Sequence, residues 1–288
     1  MVATYATLAQ AKNELKAQSN TDDDKLMSHL FAASGRVDGL FESRYRYFMP
    51  WVRTVTLQVD PRKVDSRVNI IELPVPLLAL TSITYNGAAM TVGSNVEAYV
   101  PGMTPYRQLR LMSTVYSWHN WGGYNSSYPV PLLSITGIWG YHGDYANAWL
   151  EVDSVQDVSL NASVTSVTVA DVDGDDAFGI SPRISRGALV KVGDEFMEVV
   201  NTNTTTNVVT VRRGAHGSTA ATHAQNDKVY VWQPEENVRR VTARQAALMY
   251  ARVGAFEVST LNEIGVSTTY PQDLLIELRG ALQNYVYG

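Results

Sequence analysis

The chain has no cysteine. That excludes disulfides, thiolate nucleophiles and cysteine-ligated zinc, and with them a small disulfide-stapled secreted domain. It also lacks an excess of positive charge: 23 lysines and arginines face 28 aspartates and glutamates, for a formal net charge of -5. A protein that binds by neutralising phosphates needs a basic balance or a concentrated basic patch, and the sequence offers neither. No uninterrupted apolar run approaches the ~20 residues that cross a bilayer as a helix. Met1-Val2-Ala3-Thr4-Tyr5 carries neither the basic nor the apolar region of a signal peptide. The expectation is a soluble protein that stays where it is made unless an assembly carries it out. There is no Gly-x-Ser-x-Gly elbow, no Walker loop and no Gly-x-Gly-x-x-Gly after a strand. No catalytic or cofactor constellation stands out, so a non-enzymatic protein without a cofactor is expected.

What is present suits a globular protein. The 288 residues are 45% hydrophobic and 18% charged, enough for about two domains at ~150 residues each. Thr7-Leu8-Ala9-Gln10 has the spacing of a capping box and predicts a short helix to about Lys16. Thr21-Asp22-Asp23-Asp24 then predicts a longer one, with carboxylates in the first turn where the helix dipole favours them. Leu26, Leu30, Val37, Phe41, Tyr45 and Phe48 recur at helical spacing; Arg44 and Arg46 sit near the predicted C-terminal end, and Pro50 stops the run. Such a helix would be roughly 40 Å long. Gly35 and Gly39 lie inside it, each costing up to ~1 kcal/mol against alanine, which marks a close approach of another helix or a bend.

The stretch from about Thr54 to Tyr141 reads as β-rich. Val55, Leu57 and Val59 alternate with polar residues, and Ser82-Ile83-Thr84-Tyr85-Asn86-Gly87 ends on Asn-Gly, the strongest short hairpin signal. Residues 115–128 form an aromatic loop rich in glycine and serine, with Trp118, Trp121 and Tyr124 at its centre. Long irregular loops of this kind are functional or disordered; this one could contact a partner, stack on sugars or bases, or fold back on its own core.

From about Asp153 to Trp232 the composition turns to Val, Thr, Asn and Asp in several short strands, which predicts a small antiparallel barrel or sandwich. Pro234-Glu235-Glu236 opens another helix, and Gly254 and Gly265 loosen the stretch after it. Pro271-Gln272-Asp273 starts a last helix whose stripe of Leu274, Leu275, Leu278, Leu282 and Val286 needs something to dock on.

Two clusters invite metal readings, and each has a plainer one. Asp171-Val172-Asp173-Gly174-Asp175-Asp176 groups carboxylates as a calcium loop does, but its glycine is fourth instead of sixth, and Pro182 stands where the twelfth-position glutamate belongs. A solvated acidic turn fits better. His216 and His223 flank Gly217-Ser218-Thr219-Ala220-Ala221-Thr222 without partners at ligand spacing, which reads as an ordered loop before the last strand. No metal site is expected.

The order of these pieces resembles the head–tail connector (adaptor) proteins of tailed bacteriophages. The residues that carry the likeness are Leu8-Ala9-Gln10-Ala11-Lys12, the acidic Thr21-Asp22-Asp23-Asp24, and the run from Leu73-Pro74-Val75-Pro76-Leu77 to Tyr85-Asn86-Gly87; Ile138-Trp139-Gly140-Tyr141 and a closing helical region complete it. The resemblance covers about residues 4–145 and 234–288. It implies an α+β chain in which 1–150 and 234–288 form one helical/β connector domain, interrupted at 151–233 by an inserted small antiparallel β-barrel or sandwich. Within the insert, Gly193-Asp194-Glu195 and the stretch from Val211 to Thr219 resemble small β-modules of phage structural proteins.

What the family implies is a virion neck component: a homo-oligomeric ring, typically of twelve subunits, seated on the portal protein and receiving a stopper or tail-completion protein. Genomic DNA passes through such a ring without specific binding, and no membrane is involved. The resemblance assigns portal docking to Leu274, Leu275, Leu278 and Leu282, while partner contact by Trp118, Trp121 and Tyr124 rests on the preference of interface hot spots for Trp and Tyr. In such a ring, Gly35, Gly39, Arg44 and Arg46 of the long helix are the candidates for packing between subunits. The alternative is a carbohydrate- or host-surface-binding module of a phage tail or baseplate that uses the aromatic loop.

Overall fold

The computed structural model describes residues 3–15, 21–41, 47–58, 70–99, 104–112, 132–251, 260–263, 266–269, 280–282 and 285. The fold is α+β, with helices and antiparallel sheets in two compact units: Met1–Phe48 with Ala148–Gly288, and Met49–Asn147.

The first unit opens with α1 (Leu8–Leu15), capped as its sequence requires: Gln10 N donates to Thr7 Oγ1 at 3.4 Å and Thr7 N to Gln10 Oε1 at 2.9 Å. Next comes α2 (Asp23–Leu40), whose 18 residues make it about 27 Å long, not the roughly 40 Å expected. Its N-cap is Asp22, with no side-chain capping bond, in place of the predicted hydroxyl cap. The helix stops near Leu40 because Asp38 and Tyr5 pull the following chain inward. The Asp38 carboxylate accepts from the Tyr5 hydroxyl and, at 3.0 Å, from Tyr47 N; Phe48 N donates to the Tyr5 oxygen at 3.0 Å. Phe48 is thus buried edge-on to Tyr5, where the sequence stripe had placed it on the helix.

α3 (Glu236–Ala251) follows much later in the chain and joins the same core. Ala243 and Ala246 pack with Ala6, Ala11, Leu30 and Ala33, and small side chains at such contacts let helices approach closely. Residues separated by some two hundred positions therefore share one helical core. The three acidic residues at the start of α2 do more than complement its dipole, since each holds a different neighbour. Tyr250 Oη donates to Asp22 Oδ2 at 2.7 Å, Lys12 Nζ pairs with Asp23 at 2.6 Å, and Arg186 Nη1 pairs with Asp24 at 2.6 Å.

On the outer side of α2, Gly35 and Gly39 are exposed, and nothing among the described residues lies within 4 Å of an added Cβ at either. Gly35→Ala is expected to stabilise the single chain by about 0.5–1 kcal/mol, because it removes backbone entropy from the unfolded state without a clash. Urea titration of the two proteins in parallel measures the difference.

The second unit is an antiparallel sheet of β1 (Trp51–Gln58), β2 (Ile70–Tyr85), β3 (Ala88–Met90), β4 (Val96–Tyr99), β5 (Tyr106–Leu111) and β6 (Leu132–Trp139). Their order is β1-β6-β2-β5-β4, with β3 folded back on β2. The predicted hairpin is present: Asn86 and Gly87 have φ of 47° and 83°, both left-handed as the tight two-residue turn demands. The apolar runs that proline punctuates are a single 16-residue strand. Pro74 and Pro76 fall between Glu72 and Leu77, where the ladder to β5 slips, so their missing N–H groups break no regular pairing. Leu77, Ile83, Leu109, Leu133, Ile135 and Trp139 fill the core.

The rest of the first unit is a β-module: β7 (Trp149–Ser154), β8 (Ser159–Leu160), β9 (Ser166–Thr168), β10 (Leu189–Val192), β11 (Glu195–Asn203), β12 (Val208–Arg212), β13 (His223–Ala224) and β14 (Lys228–Trp232). Six of these form one sheet in the order β7-β14-β10-β11-β12-β9, while β8 pairs with β13. The core is mostly valine, with Val155, Val172, Val192 and Val209 around Met197, and is distinct from that of the helices.

Of the expected barrel or sandwich, a closed barrel does not form. Edge strands β7 and β9 meet at the single bridge Val155–Val169. Backbone donors along the seam go instead to carboxylates: Thr168 N to Asp157 at 2.8 Å, and Ala170 N and Asp171 N to Asp153 at 3.1 and 2.9 Å. After α3, where composition suggested only a loosened stretch, β15 (Thr260–Glu263) and β16 (Val266–Thr269) pair as an antiparallel hairpin.

Candidate functional site

The densest polar constellation lies inside the β-module, on β11. Gly193 at the β10–β11 turn has φ 56°, and Val192 pairs with Glu195 directly after it. Glu195 thus enters a strand that is buried for its first five residues. Its side chain has no exposed surface. Such burial is costly for a charge unless every lone pair is satisfied, and here they are. Arg213 Nε and Nη2 grip the two carboxylate oxygens at 2.7 Å each, Gly214 N donates at 3.0 Å, Ala221 N at 2.9 Å and His223 Nε2 at 2.8 Å.

Arg213 is equally saturated. Its remaining donors reach the carbonyls of Asn161 and Val164 at 2.8 Å each and of Ala221 at 2.6 Å, so all five guanidinium N–H groups are used. Burial alone would raise the Glu195 pKa. The Arg213 bond, the Ala221 and Gly214 amides and His223 outweigh it and hold the carboxyl at about 2. An ionised carboxylate only accepts, which makes His223 Nε2 the protonated nitrogen.

A second, smaller pair sits three residues along. Glu198 faces Arg212 across the ladder, with Arg212 Nη2 2.7 Å from Oε2 and His216 Nε2 3.1 Å from Oε1. Gly214, His216 and Gly217 all have positive φ. For a histidine that backbone is uncommon, and its buried ring bond to Glu198 holds it there. The expected ordered loop is therefore pinned at both histidines, by carboxylates that lie far from them in sequence. The available signal was two glutamates interrupting an otherwise apolar strand, followed by Arg212-Arg213 and two histidines.

This constellation does no acid–base chemistry through Glu195. A general base needs a pKa near the working pH and reach to a substrate proton; a side chain ionised down to about 2, fully buried and saturated by donors has neither. No protein-family model matches the chain, and no curated protein or solved structure does either. The site thus reads from its own geometry, as a fastener that clips the 213–223 loop to β11.

On the module's other face Lys191 lies 4.8 Å from the Trp149 ring and 5.2 Å from that of Tyr230, and burial lowers its pKa against an opposing pull from Asp194. Trp149 also packs on Phe196 and Trp232, so the aromatic cage is occupied by the chain's own lysine.

The acidic turn behaves as a turn. Asp171 accepts from Gly174 N at 3.0 Å and faces Arg183 at 3.3 Å, while Asp176 accepts from Phe178 N at 2.8 Å and Ile180 N at 2.9 Å. Among the described residues no group of three His, Asp or Glu side chains comes together as a metal site.

Of the expected contact residues, Trp118, Trp121, Tyr124, Arg44, Arg46, Leu274, Leu275 and Leu278 lie outside the described residues. Gly35 and Gly39 are exposed on α2, in line with exposed Ser28 and Ala32. Leu282 is fully buried, and Tyr285 one turn on packs edge-on to Phe48 at 5.4 Å. That part of the C-terminal stripe is used within the chain.

Proposed function

We propose that this protein is a structural head–tail adaptor of a tailed bacteriophage, whose subunits form a ring between the portal and the stopper or tail and prolong the DNA channel. The observation that carries the reading is the shared helical core: α1 and α2 from one end of the chain pack with α3 from the other, around Ala11, Leu30, Ala33, Ala243 and Ala246. This arrangement leaves the Ser28, Ala32, Gly35 and Gly39 face of α2 outward. In the ring that face packs on the neighbouring subunit, where small side chains permit close helix approach. Portal contact falls to Leu274, Leu275 and Leu278, since Leu282 is already buried. The net charge of -5 suits a conduit along which DNA slides without being gripped. Nothing among the described residues favours the carbohydrate-binding alternative, whose residues all lie in 115–128.

The test is the mass and symmetry of the purified protein, alone and mixed with its portal, by native mass spectrometry and electron microscopy. A closed ring on the portal is expected. Gly35→Leu should abolish the ring while the single chain stays folded, because among the described residues nothing lies within 4 Å of an added Cβ there. A chain that remains monomeric with portal present, or a Gly35→Leu variant that assembles normally, refutes the reading.

A further inference from the structure

We infer that the Phe178–Ile180 tip of the β-module is a docking knob for a second protein whose surface offers an apolar pocket rimmed by lysine and arginine. Phe178 is 74% exposed and Ile180 45% exposed, and they stand two residues apart at the end of the loop between β9 and β10. The exposure is built in. Asp176 Oδ1 accepts from both Phe178 N and Ile180 N, Asp176 N donates to Ile180 O at 2.9 Å, and Gly179 N donates to Asp176 O at 3.0 Å, with Gly179 at φ 76°. The base of the loop is held as firmly: Arg183 N donates to Gly174 O at 3.0 Å, and Arg183 Nη1 reaches Val152 O at 3.2 Å. A hydrophobic pair on a loop already ordered in the free chain loses little conformational entropy on binding, which is the property of an interface anchor.

Charge selects the occupant. Asp173 and Asp175 beside the tip are exposed, and no ion pair to either is present among the described residues. This acidic collar repels the phosphates of nucleic acid and of anionic membranes, and favours a basic rim on a protein. A second copy of this chain is a poor fit. One open cavity of about 680 Å3, lined by Leu78, Leu80, Val92, Ala98 and Tyr106, includes Asp144 and, among the described residues, no lysine or arginine. The knob thus looks outward to a different polypeptide, a contact beyond the ring reading and independent of it.

A photo-crosslinking phenylalanine at position 178 of the full chain, irradiated in the cells that produce the protein, locates the contact. The crosslinked peptide is expected to belong to a different protein and to combine apolar residues with lysine or arginine. A synthetic copy of that peptide should bind the wild type about tenfold or more tighter than it binds Phe178→Ser. The Asp173→Lys/Asp175→Lys double variant should weaken binding several-fold at low salt and less at high salt. Phe178 lies outside both cores, so its variants should melt like the wild type, and Phe178→Leu should keep part of the affinity. Crosslinks that map only to another copy of this chain, to nucleic acid or nowhere would overturn the inference. So would a peptide indifferent to the charge reversal. Ring formation, read by mass on the same samples, reports separately on the adaptor reading.

Discussion

Glu195→Ala is expected to cost the chain about 3–5 kcal/mol, the range for removing one partner of a buried ion pair. The loss comes from what is left behind more than from the pair itself. Arg213 has 6% of its side chain exposed and keeps three carbonyl partners, but its charge loses the carboxylate that grips it. The amides of Gly214 and Ala221 and the His223 ring lose their acceptor as well. Glu195→Gln keeps the shape and still removes the charge, so it should cost nearly as much. A Glu195→Met/Arg213→Met double variant removes the uncompensated charge and should recover part of the loss, the Gly214 and Ala221 amides still lacking their acceptor. Urea unfolding of the four proteins measures this; a double variant as unstable as Glu195→Ala would mean that the network supplies more than charge balance.

The same carboxylate dictates an acid limb. Its folded pKa of about 2 lies below the ordinary 4.5, so its contribution is fully present above about pH 4.5 and is lost as pH falls towards 2. That depression corresponds to about 3 kcal/mol. Wild type and Glu195→Gln should therefore differ most above pH 4.5 and converge by pH 2. A constant gap across that range would show that Glu195 does not titrate as described.

Local signals in the sequence translated into structure where the physics is local. The Thr7–Gln10 capping box and the Asn86-Gly87 turn each depend on residues within four positions, and both are present. The length of α2 is not legible because its stop is tertiary: the stripe through Phe41 and Phe48 keeps helical spacing, but Asp38 and the Tyr5 hydroxyl, 33 positions apart, turn the chain inward. The barrel stayed open for a similar reason. Period-two alternation shows that strands exist, yet not that Asp153 and Asp157 take the donors along the seam. The Glu195 fastener was the least legible element, because its five donors come from Arg213, Gly214, Ala221 and His223, eighteen to twenty-eight residues away. A glutamate in an apolar strand signals that some cation must meet it, and Arg212-Arg213 offers two candidates without saying which.

Gly137→Ala is expected to destabilise the second unit by about 3 kcal/mol, the upper end of the usual cost of overpacking. Gly137 stands on β6 between two partners, opposite Arg53 on β1 and Leu80 on β2. The ladder to β2 slips between Leu77 and Ala79 and again between Leu80 and Ser82, and these bulges turn the Ala79 carbonyl onto the Gly137 Cα. A Cβ at 137 would overlap that oxygen and come within 2.9 Å of Leu77 Cδ1. Leu77 is fully buried and the oxygen belongs to backbone, so neither can swing away. Moving β6 instead would break its pairing on both sides. Gly87→Ala is the control: its φ of 83° disfavours a side chain, but among the described residues nothing lies within 4 Å of the new Cβ, so it should cost only ~1–2 kcal/mol. Hydrogen exchange read by mass spectrometry should show Gly137→Ala losing protection most in β1, β2 and β6, whereas Gly87→Ala should loosen the β2–β3 turn. Equal effects from the two would mean that backbone conformation, and not the close approach of Ala79, requires glycine at 137.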